Sequence, residues 1–222
     1  MRIAILGGTG DIGEALALRW ARDTAHELRI GSRKEAKALA AVEEYRSTLS
    51  ALDADATIDG FDNVTATEGA GVVVLAVPPY HVTDLVETVA DSLPDEAILV
   101  SPAVGIKRDE DGFHYHRPPA GSVTQLVADA APDGVPVVGA FHNLAAGRLS
   151  ALEASFEMDT LVVSDDRESK RTVMALAEEI DGLRALDAGP LANAAEVEAV
   201  TPLLINVAVN NDGLHDLGVR FV

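Results

Sequence analysis

The sequence predicts an α/β protein: a doubly wound parallel sheet followed by a small C-terminal lobe. Three observations lead there. Short apolar runs alternate with amphipathic helical stretches almost from end to end. Several of those runs are apolar at every position, as strands covered on both faces are. The first run feeds directly into a glycine-rich turn that opens a helix.

Taken in order, Arg2 to Leu6 is a short apolar strand, and a helix follows from about Asp11 to Asp23. Glu27 to Ile30 reads as a second strand, and a long helix runs from about Lys34 to Ala51 with Leu39, Val42 and Leu49 on its apolar side. The stretch Ala54 to Gly60 is expected to be turn. Val72 to Val77 is a β-branched run closed by Pro78 and Pro79, as a strand buried on both faces would be. A helix from about His81 to Ser92 leads to a strand at Ala97 to Val100. Later strands are expected at Val135 to Val138, Thr160 to Val163 and Arg184 to Leu186, with a helix from about Glu168 to Ile180 before the last. The chain divides most naturally into residues 1–148, the sheet domain, and 149–222, a small α+β lobe that completes a cleft. There is no internal repeat.

Composition removes whole classes of chemistry. The 222 residues include no cysteine, which excludes disulfides, thiolate metal sites and a cysteine nucleophile. The opening apolar run is too short for a signal peptide, and no stretch reads as a membrane span, so a soluble cytoplasmic protein is expected. Asp and Glu number 36 against 17 Lys and Arg, a formal charge of −19. The longest acidic run is only Asp109 to Asp111, so the acids are spread over the surface. Such a surface repels itself at low salt and is relieved by screening, which points to a high-salt interior. It also disfavours nucleic acid and anionic membranes as partners.

The turn Gly7-Gly8-Thr9-Gly10-Asp11-Ile12-Gly13 contains G-x-G-x-x-G as Gly8, Gly10 and Gly13. Gly8 is expected to permit the turn, Gly10 to let the backbone approach a pyrophosphate, and Gly13 to bring the helix close to the sheet. Lying between a strand and a helix, it reads as a dinucleotide site. At the end of the second strand an NAD site usually carries Asp or Glu. Here the residues are Gly31-Ser32-Arg33-Lys34, with Lys37 one helical turn beyond Arg33, and two of the chain's four lysines fall in this segment. A hydroxyl and several cations suit a dianionic 2′-phosphate, so NADP(H) is expected. Val77 and the prolines after it should wall the nucleotide. Too few residues follow Ser150 for the large helical domain that many nicotinamide enzymes add. His142, just past a strand end, is the one histidine placed to contact or orient a ligand; no metal site is apparent.

The segments GGTGDIGEALALRWA, GSRKEAK, VSPAVGIKR, DDRESKRTVMALAEEIDGLRALDAGPLAN and VTPLLINVA resemble the NADPH-dependent reductases of the deazaflavin coenzyme F420, and the resemblance spans essentially the whole chain. It implies a Rossmann domain, a small C-terminal lobe and a cleft in which hydride passes in either direction between NADP(H) and F420. Such transfer rests on positioning and needs no nucleophile or metal. By matching motif, the resemblance places the pyrophosphate at Thr9 to Ile12 and the 2′-phosphate at Thr9, Ser32, Arg33 and Lys37. It puts Val77, Pro79 and Val104 along the dinucleotide, and His142, Ala146, Thr201 and Leu217 in the nicotinamide and deazaflavin pocket. Pro190 and Leu191 would form part of the wall. The chain departs from the family at Pro79, where tryptophan is frequent, and at Asn143 and Ala145 in the segment after His142. At Ala195 an arginine can stand in the family, and Arg148 or Arg184 would then meet the tail phosphate.

Two other readings are compatible with the residues alone: an NADPH-dependent reductase of another acceptor, such as a flavin or a metal chelate, and a non-catalytic NADPH-sensing module. Pro202 to Val209 leaves almost no polar face and must be covered, within the lobe or by a second copy in a homodimer.

Overall fold

The computed structural model describes residues 1–222. Its elements run β1 (Arg2–Leu6), α1 (Asp11–Asp23), β2 (Glu27–Ser32), α2 (Glu35–Ser50), β3 (Thr57–Asp62), α3 (Asn63–Thr67), β4 (Val72–Leu75) and α4 (Val82–Val89). They continue with β5 (Ile98–Ser101), β6 (Ile106–Asp109), β7 (Gly112–Tyr115), α5 (Val123–Ala130) and β8 (Val137–Gly139). The remainder holds α6 (Ala146–Ser150), β9 (Met158–Val162), α7 (Arg167–Glu178), β10 (Leu183–Asp187), α8 (Ala194–Glu198) and α9 (Val200–Val209).

Six strands form one parallel sheet in the order β3-β2-β1-β4-β5-β8. Chain direction across the sheet reverses between β1 and β4, and ligands of such sheets lie at that point, outside the carboxyl ends of the strands. Alternation along β1 explains the two layers. Ile3 and Ile5 pack among α1 and α2, whereas Ala4 and Leu6 pack among α3, α4 and α5. β4 is buried at all four residues, as its unbroken Val-Val-Val-Leu run requires.

Two expectations are corrected. The segment read as turn at Ala54 to Gly60 contains β3, the edge strand, in register with β2 from Thr57 opposite Glu27 to Asp62 opposite Ser32. An edge strand buries one face only, so Thr-Ile-Asp-Gly-Phe-Asp carries strand periodicity beneath a turn-like composition. The antiparallel hairpin β6–β7 was also not anticipated. Its residues are exposed or half-buried, so it lacks an apolar signature.

β9 and β10 pair in parallel with α7 as the crossover. This lobe shares the main core, because Val162, Val173, Leu176 and Ile180 join the same apolar cluster as Ile3, Leu16 and Trp20. α1 makes the junction polar as well. The fully buried Arg19 donates to the carbonyls of Leu149 at 2.7 Å and Ala151 at 2.8 Å. Trp20 Nε1 donates to the Leu176 carbonyl at 3.0 Å, and its ring meets Phe141 edge-on at 5.6 Å.

α9 does not become buried as its sequence demands. Only Pro202 is, while Leu203 is 60% and Val209 66% exposed. The helical stretch Leu191–Val209, at 19 residues and mean hydropathy 1.2, is long and apolar enough to cross a membrane by those measures alone. It is interrupted between α8 and α9, however, and contains the buried Glu198.

Candidate functional site

A cavity of about 850 Å³ opens at the carboxyl edge of the sheet, between the ends of β1, β2 and β4. The glycine turn shapes its floor. Gly7 takes φ +78, and a Cβ there would lie 2.4 Å from the Ala76 carbonyl oxygen, so Gly7 rather than Gly8 supplies the left-handed turn. A Cβ on Gly13 would lie 2.7 Å from the Gly8 Cα, which lets α1 start tight against the turn. Gly10 precedes α1 without a side-chain cap. The N–H groups of Asp11, Ile12 and Gly13 therefore stay available to an anion, and the helix dipole favours one there.

Of the residues expected to bind the dinucleotide, Thr9, Gly10, Ser32, Arg33, Lys37 and Val77 line this cavity. Gly8, Asp11, Ile12 and Gly13 stand behind them in the turn and first helical residues. Pro78 lines the cavity and Pro79 does not, because Pro79 opens the 3₁₀ turn leading into α4. Val104 and Ala146 line neither this cavity nor the one below. Sequence reasoning missed Asn63, Asp84 and Thr88, and singled out His81 only as a helix start. His81, Asp84, Leu85 and Thr88 recur at helical spacing, a signal that could have identified the α4 face.

The electrostatics of the cavity are its main feature. Arg33, Lys34 and Lys37 make no ion pair within the chain, although acids outnumber bases two to one. Three unpaired cations gathered at one strand end repel each other unless an anion joins them. With the steric allowance at Gly10 and the open N-terminus of α1, the residues fit a dinucleotide bearing a third phosphate.

A second, more apolar cavity of about 460 Å³ lies along α9. Leu204, Ile205 and Ala208 form one wall, Asn143 to Ala145 another, and the turn from Leu214 to Leu217 closes it. Two of the expected substrate residues, Thr201 and Leu217, line it. Pro190 is exposed and Leu191 buried, and neither reaches either cavity. Arg184 is held by both oxygens of Asp159 at 2.8 and 2.7 Å and is not free for a phosphate. Arg148 is exposed on α6 without an ion-pair partner.

The wall from Asn143 to Ala145 is held in place from behind. Phe141 adopts φ +67, a left-handed conformation that costs a bulky side chain about 1–3 kcal/mol. Its N–H donates to Thr160 Oγ1 at 2.9 Å, and its ring rests on Trp20. Asn143 Nδ2 donates to the Asp159 carbonyl at 2.7 Å. His142 itself is 3% exposed and lines neither cavity. Its carbonyl accepts from the Thr201 hydroxyl at 2.7 Å, which ties the segment to α9.

The protonation of His142 follows from its neighbours. Glu198 is fully buried, and its carboxylate accepts from Tyr115 Oη, Val123 N, Thr124 N and Thr124 Oγ1 at 2.8–3.0 Å. The Thr124 hydroxyl proton is thus committed to Glu198, so its oxygen can only accept from His142 Nε2, 3.3 Å away. The ring is therefore the Nε2–H tautomer, with a buried, unpartnered Nδ1. Burial pushes its pKa down to about 3. The unfolded chain binds a proton below about pH 6.5 that the folded chain refuses, so this ring weakens the fold as pH falls from about 6.5 toward 3. The imidazole nitrogens should show an Nε2–H tautomer that does not titrate from about pH 8 to about pH 5 in ¹⁵N spectra. A titration midpoint near 6.5 would refute the assignment.

The parallel sheet, glycine turn and cation-lined cavity together define a dinucleotide-binding protein. The family described as NADP oxidoreductase, coenzyme F420-dependent, matches residues 2–105. Similarity to individual relatives extends further. The F420-dependent NADP reductase of Methanocaldococcus jannaschii is 36% identical over 94% of this chain and 93% of its own length. That of Methanothermobacter marburgensis is 35% identical over 99% and 97%. The chain belongs to this family of F420-dependent NADP oxidoreductases. A crystal structure from Arthrobacter sp. FB24, 21% identical, shares the whole fold, with a TM-score of 0.81 over 100% of this chain and 99% of that one. A glycerol-3-phosphate dehydrogenase from Coxiella burnetii, 17% identical, shares it at a TM-score of 0.60 over 84% of this chain but 53% of its own.

Proposed function

We propose that the chain passes hydride reversibly between NADP(H), held in the larger cavity, and the deazaflavin F420, whose ring is received by the apolar cavity along α9. The unpaired Arg33, Lys34 and Lys37 beside Ser32 carry the nucleotide half of this reading. The coenzyme half rests on relatives named F420-dependent NADP reductases that match nearly the full chain. The chemistry supplied by the two coenzymes is direct transfer between ring carbons. The protein's part is to hold them within reach and exclude water. Thr9, Ser32, Arg33 and Lys37 bind phosphate, Val77 walls the nucleotide, Leu144, Thr201 and Leu217 border the deazaflavin, and neutral His142 orients the segment carrying Leu144.

Residues 1–148 act as the nucleotide domain and 149–222 as the lobe that supplies the α9 wall. The use of a pyridine nucleotide supports a cytoplasmic setting, and the charge of −19 supports a salty one. Leu203 and Val209, exposed on α9, support pairing of two copies. Light scattering that gives the mass of a single chain would refute the pairing.

The deciding assay mixes NADPH with oxidised F420 in roughly molar salt, where the acidic surface is screened. The deazaflavin's visible absorbance should fall, more slowly with NADH and more slowly at low salt. Unchanged absorbance in a sample whose melting point NADPH still raises would assign the hydride to another acceptor.

A further inference from the structure

The apolar cavity along α9 is closed on one side by a segment that the core does not hold. After α9 the side chains of residues 211–216 are all exposed, and in the turn that lines the cavity only Leu217 is half-buried. A segment with so little apolar burial opens readily unless something else ties it down. Three attachments do so. The Asp216 carboxylate rests on α6, where a Cβ on Gly147 would lie 2.6 Å from Oδ1, and Asp216 adopts φ +48 there. A Cβ on Gly218 would lie 2.1 Å from Met158 Sδ, so glycine lets the chain pass flat over that side chain. Beyond it, Asp159 on β9 donates its N–H to the Val219 carbonyl at 2.8 Å, and its Oδ2 accepts from Phe221 N at 2.6 Å.

Arg184 governs that last attachment. It stands opposite Asp159 in the β9–β10 register and donates to both carboxylate oxygens and to the Phe221 carbonyl. The Asp159 side chain is fully buried, so the guanidinium fork fixes its orientation and keeps Oδ2 aimed at Phe221 N. Arg184 itself lines neither cavity. We propose that Arg184 is a positioning residue for the hydride acceptor, strapping residues 214–217 over the cavity along α9 through Asp159 and Phe221. This rests on the reading that the cavity receives F420, and deepens it by naming what closes the pocket. With the strap in place, Leu214 and Leu217 shield the cavity from water; without it, the cavity is an open groove. The acceptor's apparent affinity then falls with the fraction of molecules that are strapped. The dinucleotide cavity shares no lining residue with this one, so nucleotide binding should not follow.

The experiment compares wild type with Phe221→Pro, Arg184→Ala and Arg184→Lys. It reads KM and kcat for F420, Kd for NADPH, melting temperature, and hydrogen exchange over residues 214–221. Phe221→Pro deletes one N–H donor and leaves the buried Asp159–Arg184 pair in place, so the lobe should stay folded. In this variant KM for F420 should rise about 10-fold, with kcat and the Kd for NADPH within about twofold of wild type. Arg184→Ala should raise KM at least as far, and Arg184→Lys should recover part of the loss, since an ammonium keeps the charge but not the fork. In wild type, F420 should slow exchange over residues 214–221 and NADPH should not. An unchanged KM for F420 in Phe221→Pro, with faster exchange over the strap, would overturn the proposal. So would losses of F420 and NADPH by the same factor, which mark a merely structural role. A wild type that binds NADPH but neither binds nor reduces F420 would remove the F420 reading, and the proposal with it.

Discussion

Replacing Glu198 with alanine is expected to lower the unfolding midpoint by roughly 6–20 °C. The carboxylate satisfies two buried backbone N–H groups at the start of α5, together with the hydroxyls of Tyr115 and Thr124. Leaving the two buried N–H donors of Val123 and Thr124 without a partner costs about 1–3 kcal/mol each, about 3–5 kcal/mol together, and a chain of this size loses roughly 2–4 °C per kcal/mol. The change should also reach the apolar cavity. Glu198 sits at the end of α8, immediately before α9, and through Thr124 it sets the tautomer of His142. Glu198→Gln should lose less, because one oxygen still accepts, but its NH₂ must face a backbone N–H. Calorimetry that finds the alanine variant within about 2 °C of wild type would sink the assignment of Glu198 as the tie between α8, α5 and the β6–β7 hairpin.

Arg33→Ala is expected to weaken NADPH binding by roughly 10- to 100-fold while changing NADH binding no more than about threefold. Arg33 is exposed and unpaired, so its loss removes a charge-assisted contact to the ligand without leaving a buried partner behind. Lys37→Ala should act in the same direction but less strongly, since an ammonium lacks the bidentate fork that a guanidinium offers a phosphate. The preference for NADPH should be steeper at low salt, where these cations are least screened. Equal losses for the two nucleotides would show that the cation cluster serves the pyrophosphate or the surface.

Much of this arrangement was legible before folding because it is local. α1 runs from Asp11 to Asp23 as expected, since the glycine turn before it and the apolar spacing within it lie in adjacent residues. The β4 run and its terminating prolines are equally local, and so are the cations just beyond β2. β3 was illegible for a different reason. Its pairing with β2 is long-range, and at the sheet edge burial of Ile58 and Gly60 alone leaves little apolar pattern. Asn63 was missed with it, because an asparagine after an unrecognised strand carries no signal. Its place in the cavity wall appears only when β3 sets it beside Ser32.

His142 shows the division most clearly. The residues around it marked a strand end on the ligand side of a sheet, and that much was correct. Whether the ring touches a ligand depends on Glu198, Thr124 and Thr201, which come from α8, α5 and α9 and meet only in the folded chain. The sequence by itself determined the central strands of the sheet, the glycine turn, the cation cluster beyond β2 and the acidic surface, because short-range periodicity, steric demand and charge are written in neighbouring residues. Only the tertiary structure decided that Gly7 makes the turn, that Asn63 enters the nucleotide cavity and that His142 stays neutral behind the wall. Burial and hydrogen-bond satisfaction are properties of residues far apart in the chain, and they exist only once packing has brought those residues together.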